Sequence, residues 1–274
     1  MDAVPTDTQV DVRAMSRVVM ALSGGMDSTA LLLRILAEGR TVTCISYDYG
    51  QKHAIELQKA SANIAYLRSE GHEVDHIQAD LSSVMSMFDS SLTDPGSKVP
   101  EGHYKEEQMK QTVVPNRNAI FSSVLYGYAL SVSSREDVDV SVTLGVHSGD
   151  HAIYPDCRPE FYDALMLAFD VGNWGSERIT SDLPYVDCDK TAILKDALAS
   201  CEALDLDFDV VFGNTNTSYS PDKNGHSSGR TGADVERILA FHAIGRKDPV
   251  EYVDGWDVVL RNAIETQREY EGAR

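Results

Sequence analysis

The sequence predicts an α/β protein built on a parallel sheet, and three observations lead there. Strand-like and helix-like stretches alternate from residue 17 onward. A Ser-Gly-Gly loop joins the first strand to the first helix. Runs of strand length, rich in apolar and β-branched residues, recur after turn residues.

Residues 17–22, Arg-Val-Val-Met-Ala-Leu, form the first strand, and 28–38 are apolar on all sides, the pattern of a helix packed on a sheet. After Gly39 the unit repeats, with a strand at 41–47, an amphipathic helix at 52–68 and a third strand at 72–77. Order weakens over 80–112, a Ser-rich stretch with Pro, Gly and mixed charge, of a length typical of lids and binding loops. Regularity returns with a helix at 116–131, a strand at 138–145, helices at 159–169 and 190–203, and a short strand at 210–213. A polar, Gly-rich segment at 214–232 precedes a helix at 235–244 and a last helix from residue 256. The expected organisation is a lead-in at 1–15, an α/β domain at 16–213 and a C-terminal helical segment at 214–274.

The chain has 274 residues, 42% hydrophobic and 24% charged, so it can bury a core and is neither disordered nor fibrous. No window approaches the roughly 18 consecutive apolar residues of a membrane span. The opening MDAVPTDTQVDVRAM lacks a secretory pattern. The expectation is a cytoplasmic protein without a membrane partner. Lys and Arg number 24 against 43 Asp and Glu, and the net charge of -19 argues against direct binding of nucleic acid. Cys44, Cys157, Cys188 and Cys201 form no C-x-x-C pair, which suits neither a disulfide framework nor a zinc knuckle.

The sharpest motif is Ser23-Gly24-Gly25-Met26-Asp27-Ser28, directly after Leu22 at the end of the first strand. Helix-start N–H groups and the helix dipole favour an anion there, and two glycines let the backbone approach a phosphate. The loop lacks the lysine of a Walker loop and the spacing of a dinucleotide fingerprint. It resembles the pyrophosphate loop of the ATP pyrophosphatases, the PP-loop superfamily with its Rossmann-like, adenine nucleotide alpha hydrolase fold. That resemblance implies adenylation: a substrate oxygen attacks the α-phosphate of ATP, pyrophosphate leaves onto the loop, and a nitrogen or sulfur nucleophile displaces AMP.

Three further stretches narrow the branch: SYDYGQKH at 46–53, VPNRN at 114–118 and GVHSGDHAIYPDCRPEF at 145–161. Together they resemble the 7-cyano-7-deazaguanine synthase family, QueC or ExsB, of queuosine biosynthesis, over nearly the whole chain. The resemblance implies an ATP-dependent carbon–nitrogen ligase that takes 7-carboxy-7-deazaguanine and ammonia through an adenylate, an amide and a second activation to the nitrile. It also implies a homodimer. An alternative is a QueC-like paralogue that passes the activated deazaguanine to another amine, on a protein or a nucleic acid, as beside antiviral defence genes.

Individual residues carry their own readings. Leu22 through Ser28 form the expected cofactor-binding loop, with Asp27 helping to organise Mg²⁺ directly or through water. Asp48, just past a strand carboxyl end, could meet ATP, ammonia or substrate, or be a solvated loop acid. Asn116, Arg117 and Asn118 open a helix after Pro115; the amides and guanidinium suit a purine-like edge, while capping alone also explains Asn116. Asp150, Tyr154, Asp156 and Arg158 are substrate-binding candidates: a carboxylate pair could hold Mg²⁺ or a guanidine-like edge, and Arg158 could pair with a substrate carboxylate. A network that only holds the loop and its helix start is the other reading. Lys190, at a helix start, could neutralise charge on a triphosphate or be a surface lysine. His147 and His151 read as hydrogen-bonding residues rather than metal ligands. Asp48, Arg117, Asp150, Asp156, Arg158 and Lys190 are expected to converge on one pocket beside the SGGMDS loop.

The family resemblance also implies a C-terminal four-cysteine zinc site, and here the chain departs from it. Ser218, followed by Tyr219, then Ser228, Thr231 and Asp234 stand where the cysteines would fall. Hydroxyls do not replace thiolates for zinc, so no zinc is expected.

Overall fold

The computed structural model describes residues 17–272 apart from 52–54, 94–111, 148, 150–153, 219–221 and 223–224. Five strands, β1 (Arg17–Ala21), β2 (Thr41–Asp48), β3 (Asp75–Asp80), β4 (Val140–Thr143) and β5 (Ile179–Ser181), form one sheet in the order β3-β2-β1-β4-β5. Every pairing is parallel, with Val19 of β1 registered on Thr43 of β2 and on Val142 of β4.

Alternation along β1 divides the core between the two faces of the sheet. Val18 and Met20 join the cluster built by α1 (Met26–Ala37), α2 (Ile55–Ser69), α6 (Lys190–Ala203) and α7 (Phe208–Gly213), whereas Val19 packs against α4 (Arg117–Glu136). A strand buried on both faces must be continuously apolar, which is why Val-Val-Met could be read as a central strand. In α1, Leu31, Leu32 and Leu33 are all buried, each contributing about 1.5–3 kcal/mol. Gly39, at φ +72°, ends that helix.

Several elements depart from their sequence reading. Residues 210–213 form no strand; they belong to α7, whose N-cap Asp207 accepts from the N–H groups of Asp209 and Val210. Phe208, Val211 and Phe212 are buried at helical spacing, and their aromatic cluster with Phe241 outweighs the β-propensity of Val-Val. The third strand runs from Asp75 instead of 72, because His72 N–H still donates to Leu67 O at the end of α2. β5 went unread: it is a three-residue edge strand, largely exposed, with no apolar run to reveal it. Helix α4 continues to Glu136 because Val132 and Ser133 remain buried in a polar stretch, and Asp137 in the left-handed region ends it. Within the stretch read as 80–112, a short helix α3 (Ser82–Met85) buries Met85 against Leu92 and Val114.

After α5 (Pro159–Gly172) and α6, the chain ends in α8 (Gly232–Ala243) and α9 (Trp256–Gly272). Ala240 and Phe241 of α8 enter the main core, while Val235 and Ile238 pack with Tyr252, Val259 and Ala263. Helix α8 is thereby anchored on the sheet domain, and this brings 214–218 beside the loop after β1. Among the described residues, no helix is long and apolar enough to cross a membrane.

Candidate active site

The strand order reverses between β1 and β4, and the crevice outside the carboxyl ends of such a pair is where open α/β sheets take ligands. The loop after β1 lies there. Ser28 Oγ accepts from Ser23 N–H at 3.2 Å, the two hydroxyls stand 2.9 Å apart, and Ser23 Oγ accepts from Gly25 N–H at 3.1 Å. Gly24 adopts φ +82°, and a Cβ at that position would lie 2.2 Å from the carbonyl oxygen of Glu56. Only glycine lets the loop sit this close to α2. Asn216 N–H donates to Gly24 O at 2.9 Å, so the C-terminal segment crosses the loop. Gly25 caps α1 without a side-chain bond, which leaves the first-turn N–H groups and the positive helix end at the edge of a cavity of about 110 Å³.

Charge is concentrated on the wall of that cavity. Lys190 Nζ donates to Asp27 Oδ2 at 2.8 Å and lies 3.0 Å from His147 Nε2, with His147 itself buried. Gly149 N–H donates to His147 Nδ1 at 3.1 Å, which orients the ring. Burial alone would push the Asp27 carboxyl up, but the Lys190 ammonium overrides it and holds the group below the ordinary carboxylate range. Asp27 Oδ1 is buried and has no hydrogen-bond partner among the described residues. An ionised carboxylate with an unengaged oxygen beside a phosphate-sized cavity fits a Mg²⁺ ion or its water.

A second cavity, of about 200 Å³, adjoins the first, and Ser23, Asp27 and Glu56 line both. Its walls are aromatic. Tyr47 and Phe121 stack with centroids 4.2 Å apart, and Tyr49 tilts against Phe121 at 5.5 Å. The Arg117 guanidinium lies 5.9 Å from the ring centres of both Tyr49 and Tyr154. Burial pushes the Tyr49 phenol up to about 12 despite Arg117, so it stays protonated and can donate. Flat aromatic walls with a guanidinium at one side suit a planar heterocycle that carries a carboxylate.

The residues expected to converge do so in part. Leu22, Ser23, Asp27, Ser28, Arg117 and Asn118 line the aromatic cavity, and Gly25, Met26, Asp27 and Lys190 line the phosphate-sized one. Asn118 also holds the neighbouring loop: its Nδ2 donates to Asp156 O at 3.1 Å, and its N–H donates to Asp156 Oδ2 at 3.3 Å. Tyr154 is buried and its hydroxyl pairs with Thr112, behind Arg117. Gly24, Tyr154 and Asp156 line neither cavity, and three more expected residues also fall outside the linings. Asp48 is exposed and accepts from Gly50 N–H at 3.1 Å, Asn116 is exposed in the left-handed region, and Arg158 is the exposed N-cap of α5. The turn bond fixes Asp48 locally, and neither the Asn116 nor the Arg158 side chain caps its helix. Asp150 and His151 lie outside the described residues. Glu56, Tyr49, Phe121 and Asn216 were not singled out; Tyr49 lies inside a quoted motif and Glu56 three positions after it.

The C-terminal positions do meet. Ser218 Oγ, Ser228 Oγ and Thr231 Oγ1 donate to Asp234 Oδ2 at 3.0, 2.8 and 2.9 Å, and the N–H groups of Arg230 and Thr231 reach the same oxygen at 3.2 and 3.1 Å. Thr231 and Asp234 also form the capping box of α8. Three hydroxyls and one carboxylate do not fit zinc, which favours thiolate and imidazole; here the hydroxyls spend their protons on the acid. Cys44, Cys157 and Cys201 are buried elsewhere.

Comparison with known proteins agrees with this geometry. The family described as queuosine biosynthesis protein QueC matches residues 17–245. A 7-cyano-7-deazaguanine synthase of Alteromonas mediterranea is 42% identical over 235 residues, covering 86% of this chain and 98% of that protein. One from Colwellia psychrerythraea is 41% identical over 237 residues, with 86% and 98% covered, and one from Methanoregula boonei is 39% identical over 236 residues, with 86% and 99% covered. A parallel sheet wound 3-2-1-4-5, a Ser-Gly-Gly loop at its switch point and this span of likeness place the chain in the QueC family.

Proposed function

We propose that the chain is a 7-cyano-7-deazaguanine synthase, an ATP-dependent carbon–nitrogen ligase acting on 7-carboxy-7-deazaguanine and ammonia. The observation that carries this is the shared wall of Ser23, Asp27 and Glu56 between a phosphate-sized cavity and an aromatic one. A carboxylate in the aromatic cavity and the α-phosphate of ATP in the other would meet at that wall, so orientation alone supplies much of the rate. Arg117 orients the acid, and Lys190 neutralises charge on the phosphates. Asp27, with its unengaged Oδ1, would hold Mg²⁺, which would supply further neutralisation of the triphosphate. First-turn N–H groups of α1 hold the departing pyrophosphate.

Asp150 completes the proposed substrate-side set, and the Asn118–Asp156 hydrogen bonds hold the 154–158 turn beside it. The protein works without zinc, in the cytoplasm, as a homodimer; residues 214–274 serve as the helical extension that closes the phosphate loop. Incubation with ATP, Mg²⁺ and carboxydeazaguanine tests the reading. Nitrile appearing only with ammonia, by product mass, supports it, and absence of pyrophosphate release with this acid refutes it. A mass adduct on protein in place of nitrile would assign the amine acceptor to a protein.

A further inference from the structure

Glu56 occupies the first turn of α2, where the backbone of Gly24 closes on its carbonyl. Glu56 lines both cavities, along with Ser23 and Asp27 of the loop, and so stands where the ring-bearing and phosphate-bearing halves of the proposed reaction meet. On that wall Asp27 pairs with Lys190 through Oδ2, the Ser23 hydroxyl pairs with Ser28 and Gly25, and the Glu56 carboxyl faces Arg117 and the Asn216 side chain. Ammonia exists at neutral pH chiefly as ammonium, which cannot attack a carbonyl until it loses a proton. A reaction that consumes it therefore needs an anionic acceptor of that proton at the junction.

We propose that Glu56 is the catalytic residue that binds ammonium and deprotonates it for attack on the acyl adenylate, an inference that rests on the function proposed above. The Glu56 carboxylate takes one proton from ammonium. The nitrogen lone pair of the resulting ammonia adds to the carboxyl carbon of the adenylate. The bond from that carbon to the phosphate oxygen breaks, its electron pair leaves with AMP, and the adduct's remaining surplus proton passes to the departing phosphate. Carboxamide, AMP and protonated Glu56 result. Arg117 and the Asn216 side chain face the same carboxyl and favour its ionised form, while burial opposes it and the balance lifts the group to about 8. The carboxyl is therefore mainly protonated at pH 7 and acts as base through its ionised fraction, which grows as pH rises toward 8.

The test separates the two half-reactions in the full-length protein. Wild type must first show ATP and pyrophosphate exchange that depends on carboxydeazaguanine; its failure would strike the function and not the role of Glu56. Given that exchange, Glu56→Gln is expected to keep it within a few-fold while ammonia-dependent amide and nitrile formation falls by about 10²–10⁴, the usual worth of a general base. Hydroxylamine, an amine already neutral at pH 7, should restore acyl transfer in Glu56→Gln to near the wild-type rate. Loss of exchange in the variant would overturn the proposal and assign Glu56 to holding the acid or its ring edge. Undiminished ammonia-dependent turnover, or an equal defect with hydroxylamine, would overturn it as well.

Discussion

Lys190 Nζ donates to Asp27 Oδ2 at 2.8 Å across 163 residues of chain. The pairing follows from two helix starts brought together: α1 and α6 share the core through Leu31, Leu32, Ile193 and Leu194, and their N-termini end at one cavity. A partly buried ammonium needs an acid nearby, and here that acid belongs to the phosphate loop.

Asp27→Ala is expected to lower ATP and pyrophosphate exchange by about 10²–10³, the range for losing a preorganised electrostatic partner. Wild-type exchange in that variant would remove Asp27 from the site.

The same pair has a stability signature. The folded-state Asp27 carboxyl titrates below its ordinary value of 3.8, so the contribution is present above that value and is lost as pH falls through the lowered one. Urea midpoints of wild type and Asp27→Asn are therefore expected to differ at pH 6 and to approach one another at the acid limit. A constant difference across that window would show that Asp27 ionisation is not linked to folding.

Gly24→Ala is expected to disable the loop. The added methyl meets the Glu56 carbonyl at 2.2 Å in a left-handed conformation, so α2 must move and exchange should fall at least about tenfold, beyond the 1–2 kcal/mol of backbone strain. Gly39→Ala is the control: its φ is +72° but the space is open, and it should cost about 1 kcal/mol in stability and nothing in exchange. Equal behaviour of the two variants would discount the contact with α2.

Arg117→Lys tests the aromatic cavity. A lysine keeps the charge but loses the flat contact with Tyr49 and Tyr154 and the two-pronged grip on a carboxylate. The expected cost is about 2 kcal/mol, some thirtyfold in KM for the acid with the KM for ATP little changed. A rise confined to ATP would place the guanidinium on the nucleotide instead.

The C-terminal cluster predicts indifference to chelators. Protein purified without them should contain no stoichiometric zinc, and EDTA should leave its Tm unchanged. Asp234→Ala strips the acceptor from three hydroxyls and two N–H groups in a buried site, and should cost about 3 kcal/mol in urea unfolding. Stoichiometric zinc would show that other ligands complete a site.

What the sequence determined by itself was local. The first strand, the Ser-Gly-Gly loop and the helix after it were legible because a doubly buried strand, a phosphate-type turn and an apolar helix each write their pattern within a dozen residues. Helix α6 was legible from Lys190 to Ala203 for the same reason: Asp189 caps it and Ile193, Leu194 and Ala197 repeat at helical spacing. Asp27 and Lys190 could be nominated separately, but their contact depends on which faces of α1 and α6 bury together. Glu56 carried no signal, since its position beside the loop rests on a close approach of two backbones. Asp48 and Arg158 sit next to the right motifs, yet Asp48 bonds within its own turn, Arg158 is exposed at the start of α5, and neither lines a cavity. Ser218, Ser228, Thr231 and Asp234 were aligned as lost ligands; their convergence on one carboxylate oxygen was decided in tertiary structure, where a buried acid must collect donors from whatever chain segments surround it.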